Sequence, residues 1–156
     1  MSHPNVQRVV AAASERGLDV EIREFPEGTR TAAEAAASIG VEVGQIVKSL
    51  VFGHDDEVVM ALVSGANQLD EGALSALAGG GAVHRVDADR VRSATGYPIG
   101  GVPPFGHAEV LRTWVDEDLL AFDVVWAAAG TWNHVFAVSP DDLVRVSSGR
   151  VAALAR

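Results

Sequence analysis

One lysine stands in an apolar strand-like run, Gln45-Ile46-Val47-Lys48-Ser49-Leu50-Val51-Phe52, and it is the only lysine in the chain. Every other strongly basic side chain is an arginine. An ammonium on a flexible stem differs from a planar guanidinium: it is a compact charge with three donors. Two readings of Lys48 follow. Its stem lies along apolar surface and carries the head to the rim, or the head points into a cavity and meets an anion or polar ligand.

A second stretch could meet the same ligand. Thr95 to Gly106 holds four glycines and three prolines in twelve residues. Proline fixes φ and glycine admits close approach, so the loop is stiff and can offer backbone N–H groups. The alternative is a packed connection that closes a barrel.

Other chemistry is poorly served. A phosphate loop needs Gly directly before Lys-Ser, where this chain has Val47. The five histidines, His3, His54, His84, His107 and His134, show no metal-ligand spacing, and there is no cysteine. No metal and no cofactor is therefore expected. No Gly-x-Ser-x-Gly elbow occurs. Ser49 is the strand neighbour of Lys48 and should point to the opposite face, which argues against a Ser–Lys dyad. A Lys48 Schiff base needs a strongly lowered pKa and ranks behind binding and orientation.

Net charge is −9, so long-track DNA or RNA binding is disfavoured, while a small nucleic-acid end held by one pocket is not. No apolar stretch suits a membrane span or a signal core, and the absence of cysteine fits a cytoplasmic protein. Its 156 residues suit a single domain, 1–156.

The elements that must position Lys48 follow from periodicity. Helices are predicted over 5–16, from the Thr31 cap to Ile39, over 70–78, over 88–94, and from the Ser139-Pro140 start to about 146. Strands are predicted over 20–25, 46–52, 58–63, 83–85, 109–115, 124–129 and 135–138, with an antiparallel hairpin across 46–63. The mixture predicts an α+β domain around a curled or closed sheet.

Several of these segments resemble the YbaK/EbsC proteins, free-standing relatives of the editing domain of bacterial prolyl-tRNA synthetase. The similar stretches are Thr29 to Phe52, with Thr31-Ala32-Ala33-Glu34 and the Lys48 strand, and Thr95-Gly96-Tyr97 followed by Gly100-Gly101-Val102-Pro103-Pro104-Phe105-Gly106. Ala128-Ala129-Gly130 and Ser139-Pro140-Asp141-Asp142-Leu143 complete the pattern. The segment Gly130-Thr131-Trp132-Asn133-His134 departs from the Gly-Leu-acid pattern of the best-known members, and Val135 falls where some members carry an acid.

The resemblance implies a mixed, roughly six-stranded β-barrel flanked by helices. It implies hydrolysis of mischarged aminoacyl-tRNA in trans. Lys48 would engage the tRNA 3′ end, and the loop from Gly100 to Pro104 would hold the aminoacyl-ester end through backbone groups. With no obvious acid–base pair in the sequence, the hydrolysis is expected to be substrate-assisted, with backbone N–H groups near Gly101 stabilising the oxyanion. Thr31, Tyr97, Gly100, Pro104, Gly130 and His134 would contact the substrate. The expected partners are the acceptor end of a mischarged tRNA and an aminoacyl-tRNA synthetase, with no DNA and no membrane. The rival expectation is a non-catalytic module that binds a nucleotide, an aminoacyl-adenylate mimic or a synthetase.

Overall fold

A computed structural model describes residues 3–25 and 31–156. Helix α1 (Pro4–Glu15) buries Val6, Val9 and Ala13 along one stripe and carries Pro4 in its first turn, where no N–H is missed. His3, not Asn5, supplies its cap, through Nδ1. Strand β1 (Ile22–Glu24) is shorter than its predicted run. Helix α2 (Ala32–Ile39) starts at the Thr31 cap and stops at Gly40 in the left-handed region.

A one-turn 3₁₀ segment, Val43–Gln45, leads into the hairpin of β2 (Val47–His54) and β3 (Glu57–Ser64). Then come α3 (Glu71–Leu77), β4 (His84–Arg85) and α4 (Ala88–Thr95), the two helices capped by Asp70 and Asp87. After the Gly/Pro loop follow β5 (Arg112–Asp116), the 3₁₀ turn Glu117–Ala121, β6 (Val125–Ala128) and β7 (His134–Val138). Helix α5 (Pro140–Ser147) is capped by Ser139, and β8 (Arg150–Ala152) ends the order. That last strand lies where the sequence suggested only an apolar tail. Among the described residues no helix is long and apolar enough to cross a membrane.

The strands form two sheets, β4-β2-β3-β5-β8 and β1-β7-β6. The expected six-stranded closed barrel is therefore corrected to eight strands in two sheets, with no closed ring among the described residues. The sheets touch through one isolated parallel bridge, Ile46 with Trp126. Strand β4 covers the outer edge of β2 only at Phe52 and Gly53.

The apolar patterning explains the layering. Val58, Met60 and Leu62 face a large core shared with Val115, Val125, Phe136 and Leu143, between the sheets. Val59, Ala61 and Val63 face a second core with Leu74, Trp114 and Leu154, beneath α3. Strand β3 is buried on both faces, so its sequence is a continuous apolar run rather than an alternating one.

Candidate active site

Among the described residues, strand β2 has an open edge. Ile46 O accepts from Gly65 N at 2.7 Å, on the side of β3. Antiparallel pairing alternates, so Lys48, Leu50 and Phe52 also direct their backbone bonds toward β3. The N–H and C=O of Ser49 and Val51 then face the opposite side, between the Ile46–Trp126 bridge and the start of β4. Side chains alternate as well. Leu50 and Phe52 pack under α3, with Lys48 on their face, while Val47 and Val51 pack in the inter-sheet core, with Ser49 on theirs.

Along this edge run two adjoining hollows, of ≈ 510 Å³ and ≈ 400 Å³. Lys48, Ser49, Leu50, Ile99, Gly100 and Val102 line both. The larger hollow adds Arg85, Arg156, Gln68 and one acid, Glu71. The smaller adds Phe25, Trp126, Trp132, Ile46 and Val135, with Thr31 at its wall. Lys48 thus stands where a cationic hollow meets an aromatic one.

Lys48 is half-buried and donates through Nζ to the backbone O of Asn67. Burial holds its pKa below the ordinary lysine value, and the Asp116 carboxylate opposes that shift. Two side-chain polar atoms are buried without a partner among the described residues, Ser49 Oγ and Trp126 Nε1. Both residues line the aromatic hollow.

The Gly/Pro loop roofs the groove and is clamped from outside. Gly101 N donates to Pro98 O at 3.0 Å, closing a turn with Gly100 at φ +86°. Gly130 N donates to Gly101 O at 2.9 Å, and Asn5 Nδ2 donates to Gly130 O at 3.0 Å. A methyl group on Gly101 would lie 2.8 Å from the Gly130 backbone, and one on Gly130 would lie 2.9 Å from that of Asn5. Arg8 donates to Gly96 O at 2.7 Å and lies 4.4 Å above the Tyr97 ring. His107 Nε2 donates to Pro103 O at 2.6 Å. Burial holds the His107 pKa below the usual histidine value; the bond to Pro103 opposes this and Arg16 reinforces it.

The residues singled out from sequence separate accordingly. Lys48, Gly100 and Thr31 meet at the groove. Thr31 is at once the cap of α2, accepting from Glu34 N at 3.1 Å. The amide of Gly101 is committed to Pro98, so of the N–H groups expected near Gly101 this one is engaged within the loop. Its neighbours Gly100 and Val102 carry N–H groups that donate to no other group among the described residues. Tyr97 is 2% exposed and belongs to the core. Pro104 is buried in the roof and Gly130 sits in the pinch behind it. His134 is held beside the groove by Thr131 Oγ1 at 2.5 Å and Glu24 at 2.9 Å.

Sequence reasoning passed over Arg85, Arg156, Trp126, Trp132, Asn67 and Asp116. Trp132 carried a signal, being a large aromatic in the segment that departs from the resembled pattern. Among the described residues no group of His, Asp and Glu is arranged to hold a metal ion.

Comparison with known proteins fits this geometry. The profile of the "Aminoacyl-tRNA editing domain" family matches residues 26–146. A solved structure of "a putative trans-editing enzyme for prolyl tRNA synthetase" superposes with a TM-score of 0.95 at 43% identity, over 100% of this chain and 99% of that one. The "Putative Cys-tRNA(Pro)/Cys-tRNA(Cys) deacylase EbsC" of Enterococcus faecalis is 26% identical, over 83% of this chain and 80% of its own length. A proline–tRNA ligase of Maridesulfovibrio salexigens is 33% identical over 78% of this chain, which spans only 21% of that enzyme. On the match across most of its length, this chain belongs to the aminoacyl-tRNA editing domain family.

Proposed function

We propose that the protein is an aminoacyl-tRNA deacylase that accepts the 3′ end of a mischarged tRNA in the groove along β2. The observation that carries this reading is the half-buried ammonium of Lys48 at the junction of a cationic and an aromatic hollow. Among the described lining residues, three cations, Lys48, Arg85 and Arg156, stand against one carboxylate, Glu71, which suits the phosphates of an RNA terminus although the whole chain carries −9. The aromatic hollow suits a planar base or an uncharged amino-acid side chain, since no acid is among the described residues that line it.

An aminoacyl ester is already activated, so orientation and charge stabilisation suffice. Water adds to the ester carbonyl carbon. The C–O bond to the ribose then breaks, and the ribose hydroxyl leaves with a proton. Lys48 fixes the terminal phosphate or ribose. The N–H groups of Gly100 and Val102 are the donors available for the developing oxyanion. Among the described lining residues the one carboxylate, Glu71, stands in the cationic hollow, so a hydroxyl of the substrate is given the task of orienting the water. Thr31 walls the amino-acid end, and Tyr97, Pro104, Gly130 and His134 act by holding the roof and its neighbours. A synthetase acting alongside in the cytoplasm supplies the choice of tRNA.

The test is hydrolysis of a panel of mischarged tRNAs by the purified protein. Release of at least one amino acid well above the uncatalysed rate is expected. Tight binding of the acceptor end with no turnover on any member would overturn the enzyme reading in favour of a binding module.

A further inference from the structure

The acceptor that Lys48 Nζ meets is a backbone carbonyl, and a carbonyl in a turn is only as fixed as the turn itself. This turn is strapped. Asn67 N donates to Ser64 O at 2.9 Å, closing it. Both hydrogens of the Asn67 amide are then used, one on Asp116 Oδ2 at 2.9 Å and one on Asp118 Oδ2 at 2.8 Å. Asp116 is completely buried. It also accepts from Ser64 N at 3.1 Å and from Asp118 N at 3.0 Å, so its charge is well solvated by the protein. None of these three residues lines the groove.

We propose that Asn67 and Asp116 are positioning residues for Lys48: the strapped turn aims the Asn67 carbonyl at the ammonium and holds that ammonium in the groove as a cation. Asp116 supplies the negative potential that favours the charged form against burial. The other charged groups around Lys48 are Asp118 at the strap, Glu71 of α3, Arg85 beside β2 and Arg156 of the C-terminal segment. Of these groups and Asp116, it is Asp116 that acts on the Lys48 ammonium against burial.

The role of Lys48 in hydrolysis rests on the proposed function; its placement by the strap does not, and the test separates the two. Protein labelled with ¹³C-lysine gives one lysine side-chain signal set, because the chain has one lysine. In the wild type the Lys48 Cε signal should titrate below a free lysine side chain, and its two Hε protons should have distinct shifts. Asp116→Asn should lower the midpoint further and move the alkaline limb of deacylation with it, which a merely structural loss would not do. Asn67→Ala should collapse the two Hε shifts into one and slow deacylation about tenfold at neutral pH. If Asp116→Asn does not fold, Asn67→Ala decides alone. Lys48 signals that superimpose on the wild type in every folded variant would overturn the proposal, even with an active enzyme. Altered signals in a protein that hydrolyses no aminoacyl-tRNA would uphold the strap and sink the deacylase reading.

Discussion

The two hollows share one wall and one roof, yet they are built for different physics. The larger gathers guanidinium and ammonium groups at the surface of an otherwise acidic protein, so its pull on a phosphate is screened by salt. The smaller gathers aromatic rings and branched aliphatic side chains, and its contribution depends on area and shape. A ligand that fills both must be anionic at one end and uncharged or planar at the other, with Lys48 at the join. The open edge of β2 makes the arrangement possible, because a sheet closed there would leave no groove.

The largest effect, outside Lys48 itself, comes from lifting the shared roof. Gly101→Ala drives a methyl group into the Gly130 backbone, which cannot yield as a side-chain tip would. The expected cost is about 2 kcal/mol, or about 4–8 °C in Tm. Melting curves check it, and both hollows should lose function together. Gly100→Ala is the sharper partner: a methyl there lies 3.8 Å from Trp132 Cβ, so only the positive φ is strained and the loss should be smaller.

The aromatic hollow is next. Trp132 is 41% exposed beside Ile99, at 61%, on its rim. Trp132→Ala should lower kcat/KM about tenfold, the worth of a modest stacking contact. That loss should not change between low and high salt. A salt-dependent loss would break the division between the hollows.

The cationic hollow should behave in the opposite way. With Lys48, Arg85 and Arg156 each neutralising about one phosphate, the log–log salt slope for binding the RNA end should be near −2, at roughly 0.7 per single-strand contact. Arg85→Gln should reduce its magnitude by about 0.7 while leaving preference among amino acids unchanged. Filter binding at four or five salt concentrations measures both.

The smallest effect is the pH dependence of the roof clamp. Burial lowers the folded pKa of His107 below its unfolded value. Between the two values the unfolded chain holds more protons, so stability rises with pH. The contribution is complete above about pH 6.5 and is lost as pH falls through the depressed folded value. Tm should therefore fall between pH 7.5 and pH 5. His107→Gln keeps a donor for Pro103 O and should flatten that fall.

Lys48 and the loop were legible because each violates a local rule: a charge inside an apolar run, and glycine with proline in a stretch too apolar for an ordinary loop. Caps were legible because Thr31 and Ser139 act within three residues of themselves. The open edge was not. Periodicity predicts a strand over 46–52 and says nothing about which of its sides finds a partner. The Asn67–Asp116 strap joins residues 49 apart, beyond any window of local pattern. Trp126 belongs to the strand β6 and turned out to wall the groove, because its strand meets β2 at a single bridge. Gly101 and Gly130 were read as ligand contacts, and in the structure both serve a backbone crossing.

The central claim is that the Lys48 ammonium serves catalysis, and single-turnover hydrolysis by wild type and Lys48→Ala on the same mischarged tRNA tests it most directly. Lys48→Ala should lose about a hundredfold or more in rate with Tm and circular dichroism unchanged. Equal rates for the two proteins would contradict it.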